Sequence, residues 1–576
     1  MYIQRNKSKS AKGKEYVSVL LCSKYRECGK IKTRVELNLS KLPEHIILGI
    51  ENMLKSKDST TVNLKDVSVS RCIDCGFMFV LLQMFDSLRI NEVLEKTLSP
   101  ADAALVKAMI VGKIITGGSK LCIYNWLNRE QAFCDHLGID IAGCKVDHLY
   151  YALGQLHRHQ PKIEKKWFRY HKGSQRRIYL YDITSSYLEG TQNELADYGY
   201  NRDNKRGKMQ ICIGLMTAED GFPLRIEAFS GNTSDCTTVS DQILTLKKEL
   251  GVEQVVFVGD RGMQIMYNLE NDPELSKEHV EFITGLTHTQ INKLISNGVI
   301  ELNLFSRDLA EVEVDGMRYI LSVNPELEIK ELFWLDNSRE RVDALVDNIR
   351  KAWSKRCALN MENRSKQQQD AKKYRRLKTE LTVKDTDGYK RRVALVLKEC
   401  GMEKYYKTEA IDNDSFEVVF NQDEFNKSRS LCGKYVVCSN VPAKDMTTEE
   451  VRGQYKNLQQ VEHAFRDLKS DNISIRPIFH RNELQTRGHV LLCMFAYAII
   501  KKLENKLFPF LKAYNKSNKT KLSFNDLTAE LNNIKLCELK IGNDVKIAQY
   551  PDLNSLQKNI FDTLNIDPMK MMELMS

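Results

Sequence analysis

The spacing of hydrophobic and polar positions changes character repeatedly along this chain. Residues 1 to about 60 open on a basic segment (Arg5, Lys7, Lys9, Lys12, Lys14), followed by a β-branched run, Tyr16 to Leu21, and a second strand pattern near Thr33 to Leu39. A small β-rich arm over residues 1–75 follows from that pattern. A solvated terminus and a phosphate contact both remain open for its basic tip. From about Phe77 to Tyr170 the period is helical, which predicts a helical domain over 76–175. Gly117 and Gly118 mark a turn there, ahead of Ser119, Lys120, Tyr124, Asn125 and Trp126 on the next helix. A plain helical bundle is preferred to a helix-turn-helix reader, although DNA binding is the role expected of this domain.

At Arg177 the period turns to β. Ile178 to Ile183 forms strands strongly, yet carries Asp182, where an unpaired carboxylate is out of place. MQICIGLMT and PLRIEAFSG read as two strands joined by the acidic turn AEDGF, a hairpin. Thr237 to Leu250 reads as an amphipathic helix, and Gln254 to Val258 as a buried strand that stops at Gly259-Asp260-Arg261-Gly262. Asp260 therefore stands at the C-terminal end of a buried strand, where sheets of this kind face a ligand, although a turn Asp is the plainer alternative. After a strand at Val280 to Leu286 come strand-like pieces (Glu311 to Val323) and a helix from about Asp343 to Leu381. That helix is dense in Lys and Arg, among them Lys355, Arg356, Lys372, Lys373, Arg375 and Arg376. Its excess of one sign favours a polyanion over a merely solvated face.

Strand patterns at Ser415 to Phe420 and Lys434 to Ser439 lead to Gln454–Ser470, read as one helix with Thr447 or Thr448 near its start. At about 100° per residue, Tyr455, Leu458, Glu462, Phe465 and Lys469 share a face roughly 80° wide. A lone carboxylate in that apolar stripe requires a partner elsewhere in the chain.

Bulk properties narrow the classes. With 576 residues, 42% hydrophobic and 28% charged, the chain is expected to form several soluble domains. A net charge of +10 argues weakly for nucleic acid. The longest apolar run, Val490 to Ile500, is about half a membrane span, so no membrane partner is expected. The 15 cysteines are scattered, as reduced thiols are. Cys72 and Cys75 form C-x2-C, but the upstream pair, Cys22 and Cys28, lacks the spacing of a zinc knuckle, so free thiols are favoured over structural zinc.

A strand with Asp182, a hairpin, a helix, a strand ending in Asp260, another strand, and much later a helix carrying Glu462 is the element order of a ribonuclease-H-like α/β fold. Three acids gathered at one sheet edge repel unless a divalent cation neutralises them, so the order predicts Mg²⁺, with Mn²⁺ as a substitute. Two ions about 3.5–4 Å apart suit in-line displacement at a phosphodiester.

These residues resemble the DDE transposases of bacterial insertion sequences, in particular the insertion-sequence-four superfamily with its Tyr-x2-Arg-x3-Glu-x6-Lys signature. Tyr455, Glu462 and Lys469 stand at those spacings, while Leu458 replaces the Arg. LYDITSSYLEG, FSGNTSD, VGDRGM, FRDLKS, RPIFH and GHV carry the rest of the likeness, close over about 177–286 and 430–500 and loose elsewhere. The resemblance implies that Asp182, Asp260 and Glu462 bind metal and catalyse, and that Tyr455 and Lys469 position phosphates. Arg466 would stand in for the missing Arg. It also implies a core split into 176–287 and 441–510, an inserted α/β domain over 288–440 whose basic helix clamps DNA, and a C-terminal helical region over 511–576. A homodimer would hold the terminal inverted repeats of the element and join 3′-OH ends to target DNA in the bacterial cytoplasm, at the nucleoid. The alternatives are a metal-dependent nuclease of the same fold and a non-catalytic DNA-binding descendant.

Overall fold

The computed structural model describes residues 1–9, 15–27, 30–55, 67–171, 178–203, 205–369, 383–410, 416–470, 473–541 and 545–575. Lys12, Lys14, Lys372, Lys373, Arg375 and Arg376 lie outside the described residues. The chain divides into two compact units, one of residues 1–80 with 519–576 and one of 81–518.

In the first unit, the basic N-terminal segment is itself a strand. Tyr2–Lys9, Glu15–Glu27 and Lys30–Asn38 form an antiparallel sheet. Val19, Leu39 and Ile47 pack together, with Ile47 on the helix Glu44–Lys55. Arg5 is tied to Glu44 on that helix at 2.7 Å. A second sheet pairs Val67–Asp74 with Lys535–Ile541, which pairs in turn with Val545–Gln549. The C-terminal stretch read as helical thus holds two strands besides its helices, because Lys535–Ile541 finds an open strand edge from the N-terminal region. Cys72 and Cys75 alternate sides of their strand end: the Cys72 sulfur lies 2.8 Å from that of Cys537, and Cys75 is buried beside Met571.

The second unit is built on an eight-stranded mixed sheet. Its strands are β1 (Ile178–Tyr187), β2 (Gln210–Thr217), β3 (Pro223–Phe229), β4 (Val256–Gly259), β5 (Glu281–Gly285), β6 (Ala310–Val314), β7 (Met317–Val323) and β8 (Lys434–Ser439). Their order across the sheet is β6-β7-β8-β5-β4-β1-β2-β3. β4 runs parallel to β1 and β5, and the other neighbours are antiparallel. β1, β2 and β4 are buried almost throughout, which explains why they read as continuous apolar runs rather than alternating ones. The hairpin read from AEDGF is present, with Gly221 at φ 80°. This mixed α/β architecture is compatible with a ribonuclease-H-like transposase core.

The large insertion leaves the sheet at Val323 and returns at Lys434, two residues that face each other across β7 and β8. Asn324 N donates to Gly433 O at 2.8 Å, so the two ends are joined where they leave the sheet. A chain entering and leaving at one point can carry its own core without disturbing its host. The basic helix starts earlier than its charge suggested and runs over Pro325–Gln369. It packs with the helix Val383–Glu399 around Leu335, Val342, Val346, Val393 and Leu397.

Between residues 81 and 171 the expected helices are present. Pro100–Thr116 and Lys120–Leu127 flank the Gly117-Gly118 turn. Lys120 and Trp126 of the second helix are buried, so those two side chains are not displayed to a DNA groove. A long helix, α3 (Glu483–Asn518), packs against Pro100–Thr116, Val146–Arg158 and β3. Gly488 permits that approach: a Cβ there would collide with the carbonyl oxygen of Leu153. Gly488→Val is expected to cost about 2–3 kcal/mol, whereas Gly154→Ala, on an open helix face, should be neutral or stabilising by up to about 1 kcal/mol. Urea unfolding followed through the buried Trp126 and Trp167 checks both.

Candidate active site

Strand pairing brings the two aspartates together. Tyr181 of β1 pairs with Gly259 of β4 in parallel register, so Asp182 and Asp260 are the next residues at one level of adjacent strands. Strands lie about 4.8 Å apart and side chains at one level share a face. The Asp182 carboxylate accepts a bond from the Ile183 amide at 2.7 Å, and Asp260 accepts one from the Arg261 amide at 2.7 Å. Both line a cavity of about 680 Å³.

The helix expected over Gln454–Ser470 is two helices, α1 (Thr448–Lys456) and α2 (Leu458–Lys469). At Asn457 the amide donates to both Gly453 O and Gln454 O, a tight turn that ends α1. Thr447 caps α1 through a reciprocal bond with Glu450. The buried stripe of α2 is Val461, Ala464, Phe465 and Leu468. Glu462 stands beside that stripe, exposed, and lines the same cavity as the aspartates. The buried partner expected for it is therefore not needed: its carboxylate meets the solvent of the cavity.

Tyr455 closes one side. Its hydroxyl donates to Asp260 Oδ1 at 3.3 Å, and its ring lies over Gly285 of β5, where any Cβ would strike it. Burial, reinforced by the Asp260 charge, raises its pKa and keeps the phenol protonated as a donor. Lys469 does not line this cavity. It donates to Thr184 Oγ1 at 2.7 Å and to Asp203 Oδ1 at 2.9 Å. The Asp203 side chain is 1% exposed and also receives Arg476 at 2.5 Å, a buried charge cluster that depends on all its members. Arg466 is exposed and outside the cavity, and Leu458 occupies the wall where the signature has Arg.

Arg261 and Lys456 supply positive charge at the cavity instead. In the sequence Arg261 is marked only by its adjacency to Asp260, and nothing in the spacing marks Lys456 or Asp203. Lys355 and Arg356 are exposed on the inserted helix, away from this cavity.

A family model described as the transposase DDE domain matches residues 173–499. The chain belongs to the DDE transposase family. No curated protein matches it. The matched span of this transposase contains the whole eight-stranded sheet, the insertion and all three acids.

Transposases of this family generally use divalent metal ions, and the donors present suit one. Burial pushes the Asp182 pKa from 3.8 to about 7, with the Asp260 charge adding to it. A half-buried carboxylate facing a second one is the environment a hard cation relieves. Among the described residues no group of three or more His, Cys, Asp or Glu is gathered closely enough to hold an ion unaided. Mg²⁺ commonly takes one or two protein carboxylates and completes its shell with water and substrate phosphate, so this donor set fits.

The shift also fixes a pH dependence. A carboxyl whose folded pKa is raised favours the native state while protonated, and that contribution is lost as pH rises from about 4 through about 7. In the presence of chelator, Asp182→Asn should therefore gain stability relative to wild type between pH 5 and pH 8, on the order of 1.4 kcal/mol per pKa unit and a few kcal/mol at most. Denaturant melts at both pH values check this, and a difference independent of pH would contradict it.

Proposed function

We propose that this transposase binds the ends of its insertion sequence and catalyses metal-dependent DNA strand cleavage, followed by 3′-OH strand transfer into target DNA. The observation that carries this reading is the placement of Asp182 and Asp260 at one level of neighbouring parallel strands, with Glu462 on the wall of the same cavity. Asp182, Asp260 and Glu462 would hold Mg²⁺, or Mn²⁺, as two ions. Such ions supply Lewis-acid polarisation of the scissile phosphate and a more acidic attacking water or hydroxyl.

The chain's own groups do the remaining work. Tyr455 holds the Asp260 carboxylate through its hydroxyl and so fixes which oxygen faces the cavity. Arg261 and Lys456 offer charge-assisted hydrogen bonds to the phosphate oxygens of the strand, in place of the Arg that Leu458 replaces. Lys469, locked by Asp203 and Thr184, braces α2 against β1 and so keeps Glu462 opposite Asp182. Lys355 and Arg356 on the insertion would contact the backbone of bound DNA, a contribution independent of sequence. Two element ends to hold imply a homodimer on DNA. No described helix is long and apolar enough to cross a membrane.

The test is incubation of purified protein with Mg²⁺ and a plasmid bearing the element's terminal repeats. Wild type should yield excised and joined products. Asp182→Asn and Glu462→Gln should each lose about 10²-fold or more in rate while still binding the repeats. Cleavage without joining would assign a nuclease, and specific binding with no cleavage in any form would assign a DNA-binding descendant.

A further inference from the structure

A second cavity, of about 590 Å³, opens at the C-terminal ends of α2 and β1, where Lys469 and Tyr187 line it. Its walls carry Lys113, Lys120, Lys205, Lys469 and Arg476 against one carboxylate, Asp203. Asp203 is already engaged by Lys469, Arg476 and the Tyr187 amide. Lys113 and Lys120 are 4% and 3% exposed. Lys113 Nζ donates to the carbonyls of Gly117 and Gly118, at 3.0 Å each, which satisfies its protons without neutralising its charge. Lys120 Nζ lies 3.3 Å from His489 Nδ1, a neutral partner. His480 Nδ1 is buried with no hydrogen-bond partner among the described residues.

Two ammonium groups withdrawn from water without an acid are costly to the fold. The cost falls on the two lysines and on the two histidines buried beside them. Burial, with the neighbouring lysine charge second, pushes Lys120 down to about 7, and burial lowers Lys113. His480 is pushed down to about 3 by burial and then by Lys120 and Lys113, and His489 is lowered for the same reasons. Two thiols also face the lysines, Cys493 against both and Cys122 against Lys113, and burial keeps Cys493 a neutral thiol. Ser119, which caps the helix Lys120–Leu127 by accepting from the Cys122 amide, lines the same cavity. A site with this surplus of cationic side chains over carboxylates suits an anion.

We infer that this cavity is a phosphate-binding site in which Lys113 and Lys120 take a phosphate group, either of a DNA strand or of the free anion. The strand is the source the surroundings favour, an assignment that rests on the proposed function, whereas the phosphate chemistry does not. Phe479 is 61% exposed at this cavity, a surface on which a base can stack. Lys469 is seven residues from Glu462 on α2, roughly 10 Å, or about three nucleotide steps along a strand at about 3.4 Å each. A strand lying in the carboxylate cavity would thus reach the second one within a few nucleotides.

The test uses the full-length protein and needs no cleavage. Inorganic phosphate, against chloride at equal ionic strength, should raise the melting temperature of wild type by at least about 2 °C and leave Lys120→Met unmoved. Without ligand, Lys120→Met should melt no lower than wild type, since a buried unpaired cation is replaced by an apolar side chain of similar length. If that variant fails to fold, Lys113→Met serves in its place. For a short duplex, loss of Lys120 should weaken binding across sequences and lower the slope of log affinity against log salt by about one. A changed slope assigns the strand as source, and a response to inorganic phosphate alone assigns the free anion. Identical behaviour of wild type and both variants in the two measurements would overturn the site.

Discussion

The parallel pairing of β1 with β4 is the constraint on which the rest of the catalytic unit depends. It sets two carboxylates at one level of the sheet, about a strand spacing apart, in surroundings that disfavour the ionised form of Asp182. Asp182 is held inside a strand buried almost throughout, and Asp260 follows directly on the last residue of another. The sheet therefore stores a local electrostatic conflict that a cation would resolve. Hydrogen bonds to the Ile183 and Arg261 amides and to the Tyr455 hydroxyl orient the two groups without cancelling their charge.

α2 connects that conflict to its opposite. One side of the helix presents Glu462 to an acidic cavity, and its C-terminal end presents Lys469 to a basic one. Asp203, buried between Lys469 and Arg476, is the electrostatic joint between the two. Removing one partner of such a cluster leaves the others uncompensated, so its integrity governs both the height of Glu462 above the sheet and the shape of the basic cavity. The segment between Val323 and Lys434 leaves and rejoins the sheet at one point across β7 and β8, and its Asn324 and Leu327 line the carboxylate cavity.

Much of this was legible from the residues. Asp182 was conspicuous as a charge in a strongly strand-forming run, and Asp260 because an apolar strand stopped abruptly at it. The hairpin, β5 and the strands flanking the insertion followed from period and turn chemistry. What was not legible depended on tertiary pairing. The break at Asn457 is one residue of tight turn inside an uninterrupted helical pattern, and it places Tyr455 and Glu462 on two helices that still line one cavity. The buried stripe of α2 follows Val461, Ala464, Phe465 and Leu468, so the stripe drawn through Glu462 was displaced to its edge. Asp203 lies in a loop rich in Asn, Arg and Lys, where nothing local distinguishes a buried acid from a solvated one. The strand at Lys535–Ile541, on which Val545–Gln549 pairs, was hidden because its other partner, Val67–Asp74, lies at the far end of the chain.

The central claim is that Asp182 and Asp260, with Glu462, form a divalent-cation site. Anomalous diffraction from crystals soaked in Mn²⁺ tests it most directly. The account predicts a peak at about 2.1–2.2 Å from carboxylate oxygens of Asp182 and Asp260, with Glu462 drawn toward it. Saturating Mn²⁺ that leaves the space between Asp182 and Asp260 without a peak would contradict it.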